Sequence, residues 1–129
     1  MLENITYEYM DKHLKIACNS LNLNDKIYGA FIFGSRYHRD NRIDSDYDIA
    51  LFTDLEFFDI ADIEENLNSG EMKFDISDVA DLPIIVQEEI MYEPCNVLFL
   101  KDAYMMNWVE HMEYLKNEIN FKRMVQCEE

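Results

Sequence analysis

Two aspartates one residue apart, Asp46 and Asp48, follow the pair Gly34-Ser35 after ten intervening residues. Apolar runs flank both motifs: Ile27 to Phe33 leads into the glycine, and Ile49 to Phe52 follows the second acid. If Asp46-Tyr47-Asp48 opens a strand, period-two alternation puts both carboxylates on one face, roughly 6.5–7 Å apart along it. Hard oxygen donors at that spacing suit a divalent cation, or two cations about 3.5–4 Å apart. Gly34 has no Cβ, so the chain can turn sharply there and approach a phosphate closely. Ser35 adds a hydroxyl, and amide groups beyond a strand end can point at an anion. A phosphate cradle and a cation site then fall at the ends of two neighbouring strands. The bland alternative is a solvated, charged strand start.

Periodicity supplies the elements that position these residues. From about Asn4 to Leu21, the residues Ile5, Met10, Leu14, Ala17, Cys18 and Leu21 form one helical stripe. Lys26 to Phe33 reads as a buried strand weakened by Gly29, and Asp46 to Thr53 as a second strand. Leu55 to Leu67 is loosely helical through Phe58, Ile60, Ala61, Ile63 and Leu67, with Gly70 as a helix stop. Glu71 to Ala80 alternates Met72, Phe74 and Ile76 against Lys73, Asp75 and Ser77, a strand with one polar face. Asp75 sits in the middle of that face, where packing gives no reason for an acid. Pro83 opens a helix that Glu93-Pro94 ends, and Asn96 to Leu100 is a short last strand. From Asp102 to Met124 the set Met105, Trp108, Met112, Leu115 and Ile119 steps by three and four, an amphipathic helix.

The chain has 129 residues, a size that predicts one domain over 1–129 with a real core. Its formal net charge of −16 repels phosphate backbones, so no direct nucleic-acid binding is expected; the surface would suit a basic protein partner or a site that neutralises acids with Mg2+, or serve solubility alone. Three widely spaced cysteines, Cys18, Cys95 and Cys127, match neither a disulfide framework nor a zinc site. No apolar run reaches the roughly 20 residues of a membrane span, and no basic–apolar leader is visible; a cytoplasmic protein with no membrane contact is expected. Three of the 11 basic residues, Arg36, Arg39 and Arg42, cluster beside the motif; they can grip phosphate oxygens or simply balance local acids. His13, His38 and His111 read as surface or interface residues, His38 also as a nucleotide contact.

Gly34-Ser35, a ten-residue spacer and Asp46-x-Asp48 resemble the signature of the nucleotidyltransferase superfamily that shares the DNA polymerase β-like palm. The spacing is similar to that of its minimal nucleotidyltransferase branch. Lys73-Phe74-Asp75-Ile76-Ser77-Asp78 resembles the family's third acidic strand, which maps the third carboxylate to Asp75, with Asp78 as second choice. The resemblance implies an α/β (α+β) fold, a small mixed sheet flanked by helices, closed by a C-terminal amphipathic helix. It implies Asp46, Asp48 and Asp75 as catalytic residues holding Mg2+, two ions in all. Gly34, Ser35, Arg36 and Ser45 would bind the nucleotide, with ATP as substrate. Minimal nucleotidyltransferases commonly act as antitoxins: they transfer AMP to a tyrosine of a HEPN-domain ribonuclease toxin and bind it. That function is what the resemblance implies here. Two departures stand out. Tyr37-His38-Arg39 replaces the family's common Ala-Arg-Gly, and Glu93-Pro94-Cys95-Asn96 lacks its glycine. The first keeps open a binding module that inhibits a HEPN toxin by occlusion. A small-molecule nucleotidyltransferase of the aminoglycoside-modifying kind is the third reading.

Overall fold

The computed structural model describes residues 12–33, 47–68, 73–92 and 97–127. Helix α1 (Lys12–Asn22) leads into strand β1 (Ile27–Phe33); strand β2 (Tyr47–Thr53) precedes helix α2 (Phe57–Leu67). Strand β3 (Phe74–Asp78) runs through a 3-10 turn (Val79–Asp81) to helix α3 (Ile84–Tyr92). Strand β4 (Val97–Leu100), a second 3-10 turn (Asp102–Tyr104) and helix α4 (Met105–Cys127) follow. The strands form one sheet in the order β3-β2-β1-β4. β1 is antiparallel to both β2 and β4, whereas β2 and β3 run parallel. The expected small mixed sheet flanked by helices is therefore present.

Both faces of the sheet are covered, which is why β1 and β2 read as nearly continuous apolar runs. On the first face, Leu14, Ala17, Cys18 and Leu21 of α1 and Ile60 of α2 pack against Ile32, Tyr47, Ile49, Leu51, Phe74 and Ile76. On the second, Ile90 of α3 and Trp108 of α4 pack on Phe31 and Ala50, with the Trp108 indole stacked 4.4 Å from the Phe31 ring. Leu51 and Ile49 are wholly buried, so truncating either to alanine should cost about 2–5 kcal/mol. Cys18 is buried in the first core. Among the described residues no helix is long and apolar enough to cross a membrane.

Gly29 has a packing reason to be in β1. A Cβ there would lie 3.0 Å from Leu100 Cδ1 and 3.3 Å from the Phe99 carbonyl oxygen. The missing side chain lets β4 close onto β1.

Some expectations shift. The third strand, expected to reach Ala80, ends at Asp78, whose carboxylate accepts the Ala80 N–H at 2.9 Å and diverts the backbone into the 3-10 turn. In α2, Ile60, Ile63 and Leu67 face the core, but Phe58 and Ala61, expected on that stripe, are exposed. In α4, Trp108, Leu115 and Ile119 are buried as expected, whereas Met105 is 45% exposed. Residues 4–11 of the expected first helix, and Gly70, lie outside the described residues.

Candidate active site

Alternation in β2 decides which way its acid points. Tyr47, Ile49 and Leu51 enter the first core, so Asp48 shares the opposite face with Ala50 and Phe52. Tyr47 is thereby the inward neighbour of the acid, its ring stacked 5.7 Å from that of Phe74. In β3 the same logic holds: Phe74 and Ile76 are buried and Asp75 between them is exposed. The parallel register pairs Asp48 with Asp75, which places the two Cα atoms on neighbouring strands, about 4.8 Å across the ladder. On the other side of β2, Asp48 pairs with Phe33, the residue that precedes Gly34 in the chain. One line across three strands thus carries Phe33, Asp48 and Asp75. The Tyr47 N–H donates to the Lys73 carbonyl at 3.0 Å and locks the start of the ladder.

Asp46, Gly34, Ser35, Arg36 and Ser45, together with Arg39, Arg42 and His38, lie outside the described residues. Among the described residues no group of three or more His, Cys, Asp or Glu is placed to hold a metal. What the described part offers is two carboxylates at one rung, one half-buried and one exposed. As a donor set of hard oxygens this fits a divalent cation such as Mg2+.

Asp78, the second choice for the third acid, is used otherwise. It pairs with Leu51, three rungs beyond Asp75, and caps the 3-10 turn. Burial pushes its carboxyl up from the usual range, opposed by the Ala80 N–H. Near it, His111 of α4 is half-buried where α4 meets α3. Its Nε2 lies 3.2 Å from Gln87 Oε1, and its ring stacks 5.4 Å from Trp108. Gln87 Nε2 donates to the Leu82 carbonyl at 2.8 Å, so its Oε1 must be the atom facing His111. His111 Nε2 therefore carries a proton and donates. Burial holds the imidazole pKa below its ordinary value, with Asp78 pulling the other way. A sequence reading had no signal for this pair, since Gln87 and His111 lie 24 residues apart on different helices.

The family model described as "Polymerase beta, Nucleotidyltransferase" matches residues 15–104. The chain belongs to the polymerase β nucleotidyltransferase family. Solved structures with this nucleotidyltransferase fold include a toxin–antitoxin crystallised with AMP-PNP, 16% identical, TM-score 0.56, covering 88% of this chain and 99% of that one. A mutant MntA–HpeT toxin–antitoxin is 15% identical over 88% of this chain and 99% of its own, TM-score 0.54. A protein from Shewanella oneidensis is 11% identical over 92% and 97%, TM-score 0.61. At these identities the likeness is one of fold. A search of the curated proteins returned no match. Within the nucleotidyltransferase frame, β1, β2 and β3 are the strands that present Phe33, Asp48 and Asp75 side by side.

Proposed function

We propose that this nucleotidyltransferase is an antitoxin, one domain over residues 1–129, working in the cytoplasm. It transfers AMP from ATP to a tyrosine hydroxyl of a cognate HEPN ribonuclease toxin and binds that toxin. The observation that carries the reading is the pairing of Asp48 with Asp75 at one rung of a parallel ladder, beside the end of β1 that leads to Gly34-Ser35. The fold likeness to toxin–antitoxin structures, one of them crystallised with AMP-PNP, supports the choice of nucleotide and partner.

In this reading Asp46, Asp48 and Asp75 hold Mg2+, which when bound supplies charge neutralisation for the triphosphate and for the oxygens entering and leaving phosphorus. Gly34 and Ser35 fix the β- and γ-phosphates, and Arg36 and Ser45 add nucleotide contacts. Asp75, exposed at the sheet edge, is open to an incoming hydroxyl and helps remove its proton. The tyrosine oxygen then bonds to the α-phosphorus as pyrophosphate leaves. Orientation and charge placement supply most of the acceleration.

The decisive experiment incubates the protein with α-labelled ATP, Mg2+ and the purified toxin. Label should appear on the toxin with wild type and vanish with Asp48→Asn. Undiminished labelling by that variant rejects the assignment. Tyr37-His38-Arg39 in the phosphate loop motivates a second reading, inhibition by occlusion. It requires that wild type never labels the toxin and that Asp48→Asn still neutralises it fully.

A further inference from the structure

Helix α2 is amphipathic in an unusual sense. Its inner stripe, Ile60, Ile63 and Leu67, packs on the sheet, and Glu64 Oε2 accepts the Ile76 N–H of β3 at 2.9 Å. The outer stripe runs Phe58, Ala61, Asp62 and Glu65, spaced by three and four residues, all exposed. At its start Phe57 and Phe58 are 75% and 77% exposed, and their rings meet edge-to-face at 5.6 Å. From Asp54 to Glu65 the chain has six acids and no Lys, Arg or His. Two of the six are committed: Asp54 to the Tyr28 hydroxyl and Glu64 to β3. Glu56, Asp59, Asp62 and Glu65 all remain exposed around the two phenylalanines.

We propose that the outer face of α2 is a docking surface for a basic amphipathic helix of a protein partner. Apolar side chains of that helix would cover Phe57 and Phe58, and its Lys or Arg would meet Glu56, Asp59, Asp62 and Glu65. Charge selects this occupant. A second copy would bring the same acids and another −16 of net charge against the patch. Nucleic acid and anionic lipid surfaces are repelled for the same reason. A basic helix supplies both the apolar cover and the countercharge, with its own apolar anchors at i, i+3, i+4 and i+7.

The position matters for function. α2 follows the far end of β2 on the first face of the sheet, whereas Asp48 stands at the start of β2 on the second face. A partner held on α2 leaves the carboxylates clear. The inference rests on the proposed function only in taking the partner to be a protein; docking does not require the transfer reaction.

The test uses a fluorescein-labelled Leu–Lys amphipathic peptide of roughly 18 residues, long enough to hold a helix, and reads anisotropy. Wild type should bind it, and Asp48→Asn should bind it equally, which separates docking from chemistry. Phe57→Ser/Phe58→Ser should weaken binding about tenfold or more, as should Ala61→Arg, which removes no buried atom. A Leu–Glu peptide should not bind. Equal binding by the phenylalanine variant and by Ala61→Arg would overturn the proposal, leaving diffuse charge attraction. Sedimentation showing a wild-type dimer that Phe57→Ser/Phe58→Ser disperses would overturn it too, assigning the face to a second copy.

Discussion

Asn68 grips the backbone of Phe74 with both ends of its amide: Oδ1 accepts the Phe74 N–H at 2.6 Å and Nδ2 donates to the Phe74 carbonyl at 2.9 Å. One side chain thus stands in for a strand on the outer edge of β3, and Glu64 continues the job at Ile76. β3 lies at the edge of the sheet, where open backbone groups invite unwanted pairing. Asn68→Ala should cost about 1–3 kcal/mol in urea unfolding and increase aggregation on heating. An unchanged urea midpoint would show that water replaces the amide without loss.

If Asp48 and Asp75 hold the cation as proposed, Asp48→Asn and Asp75→Asn should each lower the proposed AMP transfer by at least about 100-fold, since a direct ligand should matter more than the outer-shell partners whose loss costs that much. Stability should hold for Asp75→Asn, because that side chain is exposed on the sheet. A pair of variants that unfold would show instead that the acids are structural.

The Tyr28 phenol, bonded to Asp54 Oδ2 at 2.6 Å, is pushed up to about 12 by that hydrogen bond first and by desolvation and the aspartate charge after it. Folding thus favours the neutral phenol. The stability it contributes is present below the ordinary value of 10.0 and is lost as pH rises towards 12. Tyrosinate absorbance should show one late-titrating phenol, and Asp54→Asn should return it towards the ordinary range.

His111 titrates below 6.5 because burial disfavours its charged form. Its neutral form is favoured in the folded state, so the stability it contributes is full above about pH 6.5 and is lost as pH falls through the lowered folded value. Asp78 acts with the opposite proton preference: raised from 3.8, it lets stability fall as pH climbs from there to its folded value. The His111 ring resonances should therefore titrate late on acidification. His111→Gln should flatten the loss of urea stability between about pH 6.5 and 5.

Gly29→Ala puts a methyl group against Leu100, which can rotate, and against the Phe99 carbonyl, which cannot. The expected cost is about 1–3 kcal/mol, more for Gly29→Val, read from denaturant midpoints. No loss for either would mean that β4 moves away freely.

Strand phase was the most legible part of this chain. Lys73 to Ser77 alternates so plainly that Asp75 could be set outward between Phe74 and Ile76 before any fold was known, and the ladder bears that out. The mixed sheet and its helical cover also match the family resemblance. The helix faces were harder. Leu55 to Leu67 holds more apolar residues than the sheet can cover, and only packing shows that Ile60, Ile63 and Leu67 turn inward while Phe58 and Ala61 do not. The end of β3 was hidden because a side chain, Asp78, redirects the backbone. The contact of His111 with Gln87 was not legible because the two residues come from different helices. Of the expected site, Asp48 and Asp75 share a rung; Asp46 and the Gly34-Ser35 loop belong to segments outside the described residues.

The crossover from β2 through α2 to β3 sets how Asp48 and Asp75 come to be neighbours. Two negative groups have no attraction to draw them together; grease on the reverse side of each strand does it, through Tyr47 against Phe74 and Ile49 beside Ile76. Slide β3 by a single residue and Asp75 plunges into oil while Phe74 and Ile76 surface in water. A misaligned chain cannot survive as a quietly inactive protein. Proofreading of the carboxylate geometry is delegated to folding itself.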